Sequence, residues 1–90
     1  MFKFDFSDEL KVKIKKLSKK DRKKLEILYK KVSEIISNDE KTIDRYKNLR
    51  YDLKTLKRVH IDKHFVLTFR VIKDDNFVLF VDLDHHDNVY

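Results

Sequence analysis

The sequence contains no cysteine, glycine, proline or tryptophan. Without cysteine, the chain can form neither a disulfide framework nor a thiolate metal site. Without glycine, it has none of the glycine-rich loops that hold the phosphates of nucleotides. No apolar run approaches the length of a membrane-spanning helix and no signal peptide is visible, so we expect a cytoplasmic protein without a membrane partner. Ninety residues suffice for one small core, and we expect residues 1–90 to form a single domain.

The charge is unevenly distributed along the chain. Residues 1–37 hold 12 Lys and Arg against 6 Asp and Glu, whereas the remaining residues hold 10 of each, so the first part carries the whole net charge of +6. Such a balance favours a polyanionic partner, either a nucleic acid or an acidic protein, over a small substrate. The alternative is that these cations belong to solvated helix faces that meet no partner.

The N-terminal part predicts a strand and two helices. The three phenylalanines of residues 2–6 alternate with polar residues, which is typical of a short strand with one aromatic face. Ser7 is expected to cap a helix that runs to about Leu17, because the two acidic residues after it are favourable near the positive end of a helix. Ser18 lies three residues before an aspartate, which is capping-box spacing, so we expect it to open a second helix that ends near Ser37.

The stretch 40–56 is ambiguous. Its apolar residues have the 3-4-3 spacing of an amphipathic helix, at Tyr46, Leu49, Leu53 and Leu56. However, no clear cap precedes Tyr46 and several weak helix formers follow it. We therefore expect a helical turn at Glu40–Tyr46 and then an irregular approach to a sheet.

The last third of the chain contains all four histidines and predicts three β-strands. Apolar and polar residues alternate there with the period of two that half-buried strands show. The predicted strands cover residues 57–61, 65–72 and 77–84, and the turns between them cover residues 62–64 and 74–76. Any chemistry is expected in this third.

Three-residue hairpin loops determine the predicted pairing of these strands. The predicted cross-strand pairs are Ile61–Phe65, Val71–Leu79, Phe69–Val81, Leu67–Leu83 and His64–His86. One sheet face is then apolar, and a slip by one residue would bury acidic residues instead. The opposite face is predicted to be open and to carry seven polar residues, Arg58, His60, His64, Arg70, Asp82, Asp84 and His86. His85 is expected on the apolar side.

These elements predict an α+β fold with an N-terminal strand, a helical hairpin and then a three-stranded antiparallel meander. The order resembles the RelE/ParE superfamily of toxins from toxin–antitoxin modules, and most closely its YafQ-like and archaeal RelE-type members. Residues 56–67, LKRVHIDKHFVL, resemble the YafQ segment in which a histidine ends the second strand and an acid follows four residues later. Residues 84–90, DHHDNVY, resemble the closing His-x-x-x-aromatic segment of the same proteins. The resemblance implies the RelE-like microbial RNase-type fold.

The resemblance also implies an activity. It implies an endoribonuclease, or mRNA interferase, that cuts messenger RNA in the ribosomal A site without a metal or other cofactor. In such enzymes the ribose 2′-OH attacks the adjacent phosphate in line and leaves a 2′,3′-cyclic phosphate and a 5′-OH. The implied partners are the ribosome with its messenger RNA and a cognate antitoxin, which silences the toxin in a hetero-oligomeric complex.

The resemblance carries over to particular positions. His60 and His86 match histidines of the YafQ site, and Tyr90 matches the terminal tyrosine of RelE and an aromatic residue of YafQ. His64 stands where YafQ has an aspartate. The basic cluster with which RelE binds the phosphate is expected to be supplied by three residues, Lys54, Arg58 and Arg70.

The reaction needs a base for the 2′-OH, cations for the pentavalent phosphate and an acid for the leaving oxygen. Histidine suits both proton roles because its ordinary pKa, about 6.5, lies near neutral pH. We therefore expect His60 or His64 to act as the base and His86 as the acid. Fixed cations stabilise charge that grows in the transition state. This role is expected for Arg58 and Arg70, whereas Tyr90 is expected to position the RNA or to stack on one of its bases.

Three alternatives stay open. His60, His64, His86 and Asp84 could in principle bind zinc, although the His60-x-x-x-His64 spacing crosses a turn and does not lie on a helix. The two arginines could instead pair with acidic residues across the sheet. A ParE-like gyrase inhibitor, or an inactive RNA-binding protein with the toxin fold, would not need the histidines at all.

Overall fold

A five-stranded sheet and a pair of helices make up the structure, a computed structural model that describes residues 1–48 and 56–86. The strands are β1 (Lys3–Phe6), β2 (Lys47–Asn48), β3 (Leu56–His60), β4 (Phe65–Ile72) and β5 (Phe77–His85). The helices are α1 (Asp8–Lys20) and α2 (Arg22–Ile36), and short 3-10 turns cover Thr42–Arg45 and Lys73–Asp75. The predicted α+β order of a strand, a helical hairpin and an antiparallel meander is confirmed.

The strands follow the order β1-β5-β4-β3-β2, with β1 parallel to β5 and the other pairs antiparallel. The helices cover one face of this sheet. Leu10 and Leu28 of the helices are fully buried in one cluster with Phe69 and Phe80 of the central strands, so the core lies between the two layers. Neither helix in the described ranges is long and apolar enough to cross a membrane.

The boundary between the two helices differs from the prediction. Ser18 lies inside α1, where its hydroxyl donates to the backbone carbonyl of Lys15 at 2.7 Å. Asp21 caps α2 instead, because its carboxylate accepts a hydrogen bond from the backbone N–H of Lys24 at 3.1 Å. Serine is tolerated within a helix when its hydroxyl bonds back to the preceding turn. Helix α1 therefore runs about one turn further than the sequence predicts.

The helical turn predicted at Glu40–Tyr46 is confirmed by the 3-10 turn over Thr42–Arg45. Strand β2 was not predicted, because two residues are too few to show a period. Lys57 of β3 is buried and connects this region to the sheet, since its ammonium group donates to the backbone carbonyl of Tyr46 at 3.1 Å. Leu49 and Leu53, two of the regularly spaced apolar residues, fall within residues 49–55, outside the described ranges, whereas Leu56 begins β3.

The pairing of β3 with β4 agrees with the prediction. Val59 lies opposite Leu67, and the backbone N–H of Ile61 donates to the carbonyl of Phe65 at 2.9 Å. The three-residue loop 62–64 is therefore confirmed.

The pairing of β4 with β5 is right at one end and wrong at the other. Leu67 lies opposite Leu83 as predicted, but Phe69 lies opposite Phe80 instead of Val81. The remaining predicted pair is also wrong by one position, because Val71 lies opposite Val78. Val81 has no opposite residue, so it forms a β-bulge next to the step between Thr68 and Phe69.

The loop between these strands explains the shift. Ile72 pairs with Phe77, so the loop has four residues instead of the predicted three. Asn76 closes it with φ 50° in the left-handed region, which asparagine adopts more readily than most residues. As a result Val78 and Phe80 are buried in the core, in place of the predicted Phe77, Leu79 and Val81.

One serine connects this bulge to the first strand and the first helix. The backbone N–H of Ser7 donates to the carbonyl of Phe80 at 2.8 Å, and its hydroxyl donates to the carbonyl of the bulged Val81. The same hydroxyl oxygen accepts from the backbone N–H of Leu10 at 3.1 Å, which confirms Ser7 as the cap of α1. Ser7 thus lies between β1 and α1, caps α1 and binds the β-bulge of β5.

Two backbone N–H groups on the outer side of residues 2–6 are already hydrogen-bonded. The backbone N–H of Phe2 donates to the carbonyl of Ile36 at 2.8 Å, and that of Phe6 donates to the carboxylate of Asp5 at 2.7 Å. These N–H groups point away from β5, because alternate residues of a strand direct their N–H groups to opposite sides. Unpaired edge groups are templates for another strand, so these two bonds reduce that risk.

We expect the variant Ser7→Ala to lose about 1–2 kcal/mol of the free energy of unfolding, because it removes both the helix cap and the partner of the Val81 carbonyl. Urea denaturation followed by circular dichroism measures this loss. Ser18→Ala is the matched control, since its hydroxyl only bonds back within α1. Equal stabilities for the two variants would contradict the role of Ser7.

Candidate active site

Three segments of chain meet at one end of the sheet, namely the end of β3, the turn before β4 and the end of β5. The backbone N–H of His86 donates to the carbonyl of His64 at 2.7 Å, which extends the pairing of β4 and β5 past the last strand residue. The predicted pair His64–His86 is thereby confirmed at the level of the backbone. All four histidines lie at this end of the sheet.

His60 and His86 stack on each other. Their ring centroids are 5.4 Å apart and the ring planes differ by 28°. Val59 and Ile61, the chain neighbours of His60, pack on the core, so His60 points to the face away from the helices. His60 is exposed and His86 is half-buried. The predicted convergence of these two histidines on one face is confirmed.

The other two histidines form a second stack. The rings of His64 and His85 have centroids 6.0 Å apart, with planes that differ by 19°. His85 also packs edge-on against Phe65, 5.7 Å away, which belongs to the side chains around the core. His85 is therefore on the apolar side, as predicted, but the placement of the His64 ring beside His60 and His86 was wrong. His64 lies in the turn, where the alternation of a strand does not hold.

Asp62 holds that turn. Its carboxylate accepts hydrogen bonds from the backbone N–H groups of His64 at 2.8 Å and Phe65 at 2.9 Å. Burial alone would raise the pKa of Asp62, but these two bonds and the ammonium group of Lys24, 3.8 Å away, lower it below its usual value. The carboxylate is therefore ionised at neutral pH and stabilises the turn in this form.

The face predicted to be open is closed at its centre. Val66 and Thr68 of β4 point to this face, yet they are only 0% and 8% exposed. Across the sheet, Val66 lies between His60 and Asp84, and Thr68 lies between Arg58 and Asp82. A buried strip of β4 therefore separates Arg58 and His60 of β3 from β5 on this face. The half-buried Arg58 lies two residues before His60 on β3.

Three of the predicted members of this face do not join the histidine pair. Asp84 lines a cavity on the helix side instead, together with Phe65 and Leu83. The carboxylate of Asp82 pairs with the ammonium group of Lys13 in α1 at 2.7 Å. Arg70 is exposed and lies opposite Leu79, four residues along β4 from the row of His60. At roughly 3.3 Å per residue this separation is about 13 Å, so the structure does not bring Arg70 to the histidine pair.

The remaining predictions concern residues outside the described ranges and a metal. Lys54 and Tyr90 fall on residues 49–55 and 87–90, so their roles stay predictions. Within residues 1–48 and 56–86, no three His, Asp or Glu side chains are grouped as a metal ion would require. The zinc set that includes His64 is not assembled, because the His64 ring lies in the other stack.

Sequence reasoning missed the second stack and the Lys13–Asp82 pair. The position of His64 inside a predicted turn was a signal that the strand pattern does not extend to it. The ion pair had no such signal, because nothing in the sequence relates α1 to the end of β5.

No protein-family model matches the chain. A protein of Methanocaldococcus jannaschii named "Putative toxin RelE4" is 48% identical over 90 residues, which cover 100% of this chain and 92% of that protein. The chain belongs to the RelE-type toxin superfamily.

Solved structures of toxins share the fold of this RelE-type chain. A metal-bound toxin from Helicobacter pylori has a TM-score of 0.77 at 24% identity, covering 100% of both chains. YafQ from Escherichia coli has a TM-score of 0.71 at 16% identity, covering 100% of this chain and 99% of its own. The E. coli RelBE toxin–antitoxin complex gives 0.72 at 18% identity, over 93% of this chain and 95% of the matched chain.

The lowered pKa of Asp62 predicts a pH-dependent contribution to stability. A group whose pKa is lower in the folded state stabilises the fold above its unfolded value, near 3.8, and loses this contribution as the pH falls through the folded value. We expect Asp62→Asn to cost about 0.5–1 kcal/mol at neutral pH. The difference from the unmodified chain should vanish in acid well below pH 3.8.

Urea denaturation at a series of pH values measures this difference. Asp75→Asn, in the exposed loop before β5, is the control for a loss of one carboxylate. A cost for Asp62→Asn that does not change with pH would show that the charge of Asp62 is irrelevant to the turn.

Proposed function

We propose that this toxin is an endoribonuclease that cleaves messenger RNA on the ribosome by attack of a ribose 2′-OH on the adjacent phosphate. The observation that supports it is the stack of His60 and His86 on the face away from the helices. Two imidazole rings side by side at a sheet end offer two proton-transfer groups within the span of a single phosphodiester. Arg58, two residues before His60 on the same strand, adds a cation.

Each step has a group on this face. One imidazole takes the proton of the 2′-OH while its oxygen bonds to phosphorus, and the other gives a proton to the 5′-oxygen as its bond to phosphorus breaks. Because the His64 ring lies in the other stack, the base is assigned to His60. The acid is His86. The products are a 2′,3′-cyclic phosphate and a 5′-OH.

Arg58 is assigned to the charge that develops on the phosphate. Its half-buried position on β3 leaves the guanidinium fewer arrangements than a surface arginine has. A cation that is already in place stabilises the transition state without having to reorganise. Lys54 and Tyr90, on the segments that flank this face in sequence, are proposed to complete the contacts to the phosphate and to a base.

The ribosome is proposed to supply the message in a fixed position. Lysines of α1 and α2 can neutralise phosphates without reading sequence. They lie on the other side of the sheet from the histidine pair, so the chain can contact RNA on two sides at once. A cognate antitoxin is the second proposed partner, as the related RelBE and YoeB–YefM structures are toxin–antitoxin complexes.

We expect His60→Ala and His86→Ala each to lower the rate of cleavage by about 10²–10⁴-fold, because each removes one proton-transfer group. Primer extension on a message translated by purified ribosomes measures the cuts. His85→Ala is the matched control, because its ring belongs to the other stack on the apolar side. Cleavage that survives the loss of His86, or that fails equally in all three variants, would contradict the assignment.

This assay and a gyrase supercoiling assay together separate the alternatives. Cuts that appear only with ribosomes support the interferase, whereas inhibition of DNA supercoiling without RNA cuts would indicate a gyrase inhibitor. Binding of RNA with no cuts would indicate an inactive toxin fold.

A second prediction concerns metals. In the proposal, protons move between imidazoles and the charge is met by arginine, so we expect a chelator specific for transition metals to leave the cleavage rate unchanged within about twofold, a free-energy change well under 1 kcal/mol. The ribosome needs magnesium, so the chelator must leave magnesium in solution. Loss of activity that zinc restores would overturn the metal-free mechanism.

A further inference from the structure

A cavity lies on the helix side of the sheet, at the same end as the histidines. Its volume is about 290 Å³, and its walls come from α1, from the start of α2, from the start of β4 and from the end of β5. Leu17, Phe65 and Leu83 form an apolar floor. The rim carries four lysines, Lys13, Lys16, Lys20 and Lys24.

The spacing of α1 explains why so many lysines meet there. Residues 13, 16, 17 and 20 stand three and four positions apart, so they lie on one face of the helix. That face is directed to the end of β5, since the ammonium group of Lys13 donates to the backbone carbonyl of Leu83 at 3.0 Å. Three lysines therefore surround Leu17, and α2 contributes the fourth.

The four ammonium groups differ in their partners. That of Lys13 pairs with Asp82, and that of Lys24 lies 3.8 Å from the carboxylate of Asp62. The side chains of Lys16 and Lys20 are exposed, and no hydrogen bond or ion pair engages them within the part of the chain that the structure describes. These two cations are available to an anion from outside.

The floor favours a protein over a nucleic acid as the source of that anion. Bases bind to proteins by stacking on aromatic faces. Here the one aromatic ring of the floor, Phe65, already has the Lys24 ammonium group 3.7 Å from its centre, and the rest of the floor is aliphatic. Asp84 on the rim can accept a hydrogen bond from a peptide N–H, but it repels a phosphate.

We infer that this cavity binds a bulky apolar side chain of an acidic protein segment, whose carboxylates pair with Lys16 and Lys20. The inference rests on the proposed function in one respect, namely that the segment belongs to the antitoxin. An apolar anchor in a pocket with charges around it is the usual form of a protein-binding site with a few dominant residues. The apolar floor buries the side chain of the segment, and the two lysines favour a segment that carries carboxylates.

This placement separates binding of the antitoxin from catalysis. The cavity lies on the helix side of the sheet and the His60–His86 stack lies on the other, although both are at the same end. A segment anchored in the cavity has only to pass around the start of β4 and the end of β5 to cover the histidines. Changes in the cavity should therefore weaken binding of the antitoxin without removing a proton-transfer group from the other side of the sheet.

The test uses a fluorescein-labelled peptide of glutamates around one central leucine, with binding to the full chain measured by fluorescence anisotropy. We expect the double variant Lys16→Glu, Lys20→Glu to weaken binding by about tenfold or more, since one tenfold step corresponds to 1.4 kcal/mol. The control is Lys15→Glu, Lys19→Glu, which makes the same charge change on exposed residues of α1 outside the cavity. We expect the control to weaken binding less than threefold, and a peptide with serine for leucine to bind as weakly as the double variant does.

Equal weakening by both double variants would overturn the inference, because it would show attraction to the general charge of α1. Binding of an oligouridylate that depends on Lys16 and Lys20, without peptide binding, would assign the cavity to RNA and overturn it as well. The primer-extension assay on ribosomes keeps the two proposals apart. If the unmodified chain binds the peptide as expected but does not cut RNA, the nuclease fails and the docking site stands; cleavage without peptide binding gives the opposite result.

Discussion

The pairing of β4 with β5 determines the geometry of the whole site. With the four-residue loop and no bulge, every residue after Phe80 would move one position along β4, and His85 instead of His86 would lie opposite His64. Side chains alternate between faces, so His85 would then share a face with His60 and His86 would turn to the core. The extra residue Val81 reverses that parity. The choice of which histidine stacks on His60 therefore depends on a bulge five residues away.

The bulge also reconciles two demands on the core. Near β1, the sheet buries Val78 and Phe80 against α1 and α2, and beyond the bulge it buries Leu83. Val78 and Phe80 have even numbers and Leu83 has an odd one, so a regular strand would direct Leu83 to the opposite face from the other two. Ser7 provides the bulge with a hydrogen-bond donor at the point where β1 ends. The start of the first helix and the bulge before His86 are thus joined through one hydroxyl group.

Much of the fold could be predicted because the element order and the ends of the strands have clear patterns. Two errors in β5 cancelled, since a loop one residue longer than expected is compensated by the bulge at Val81. The bulge itself could not be predicted from the sequence, because residues 77–81 are all apolar. Either set of alternating residues could therefore face the core. The convergence of His60 and His86 was predictable from alternation, whereas the orientation of His64 was not, because Asp62 and the turn determine it. The lysine cavity depends on how α1 meets the end of β5, which no local pattern reports.

The hydrogen bonds along the outside of β1 bear on how the free toxin behaves. Phe2 and Phe6 already donate their outward N–H groups, one to the end of α2 and the other to the neighbouring Asp5. Another chain that added a strand there would have to break both bonds before it gained its own. Growth of the sheet into fibres through this border is thereby opposed at the level of the single molecule. A free copy of the chain therefore offers fewer open backbone donors to a neighbouring copy along this edge.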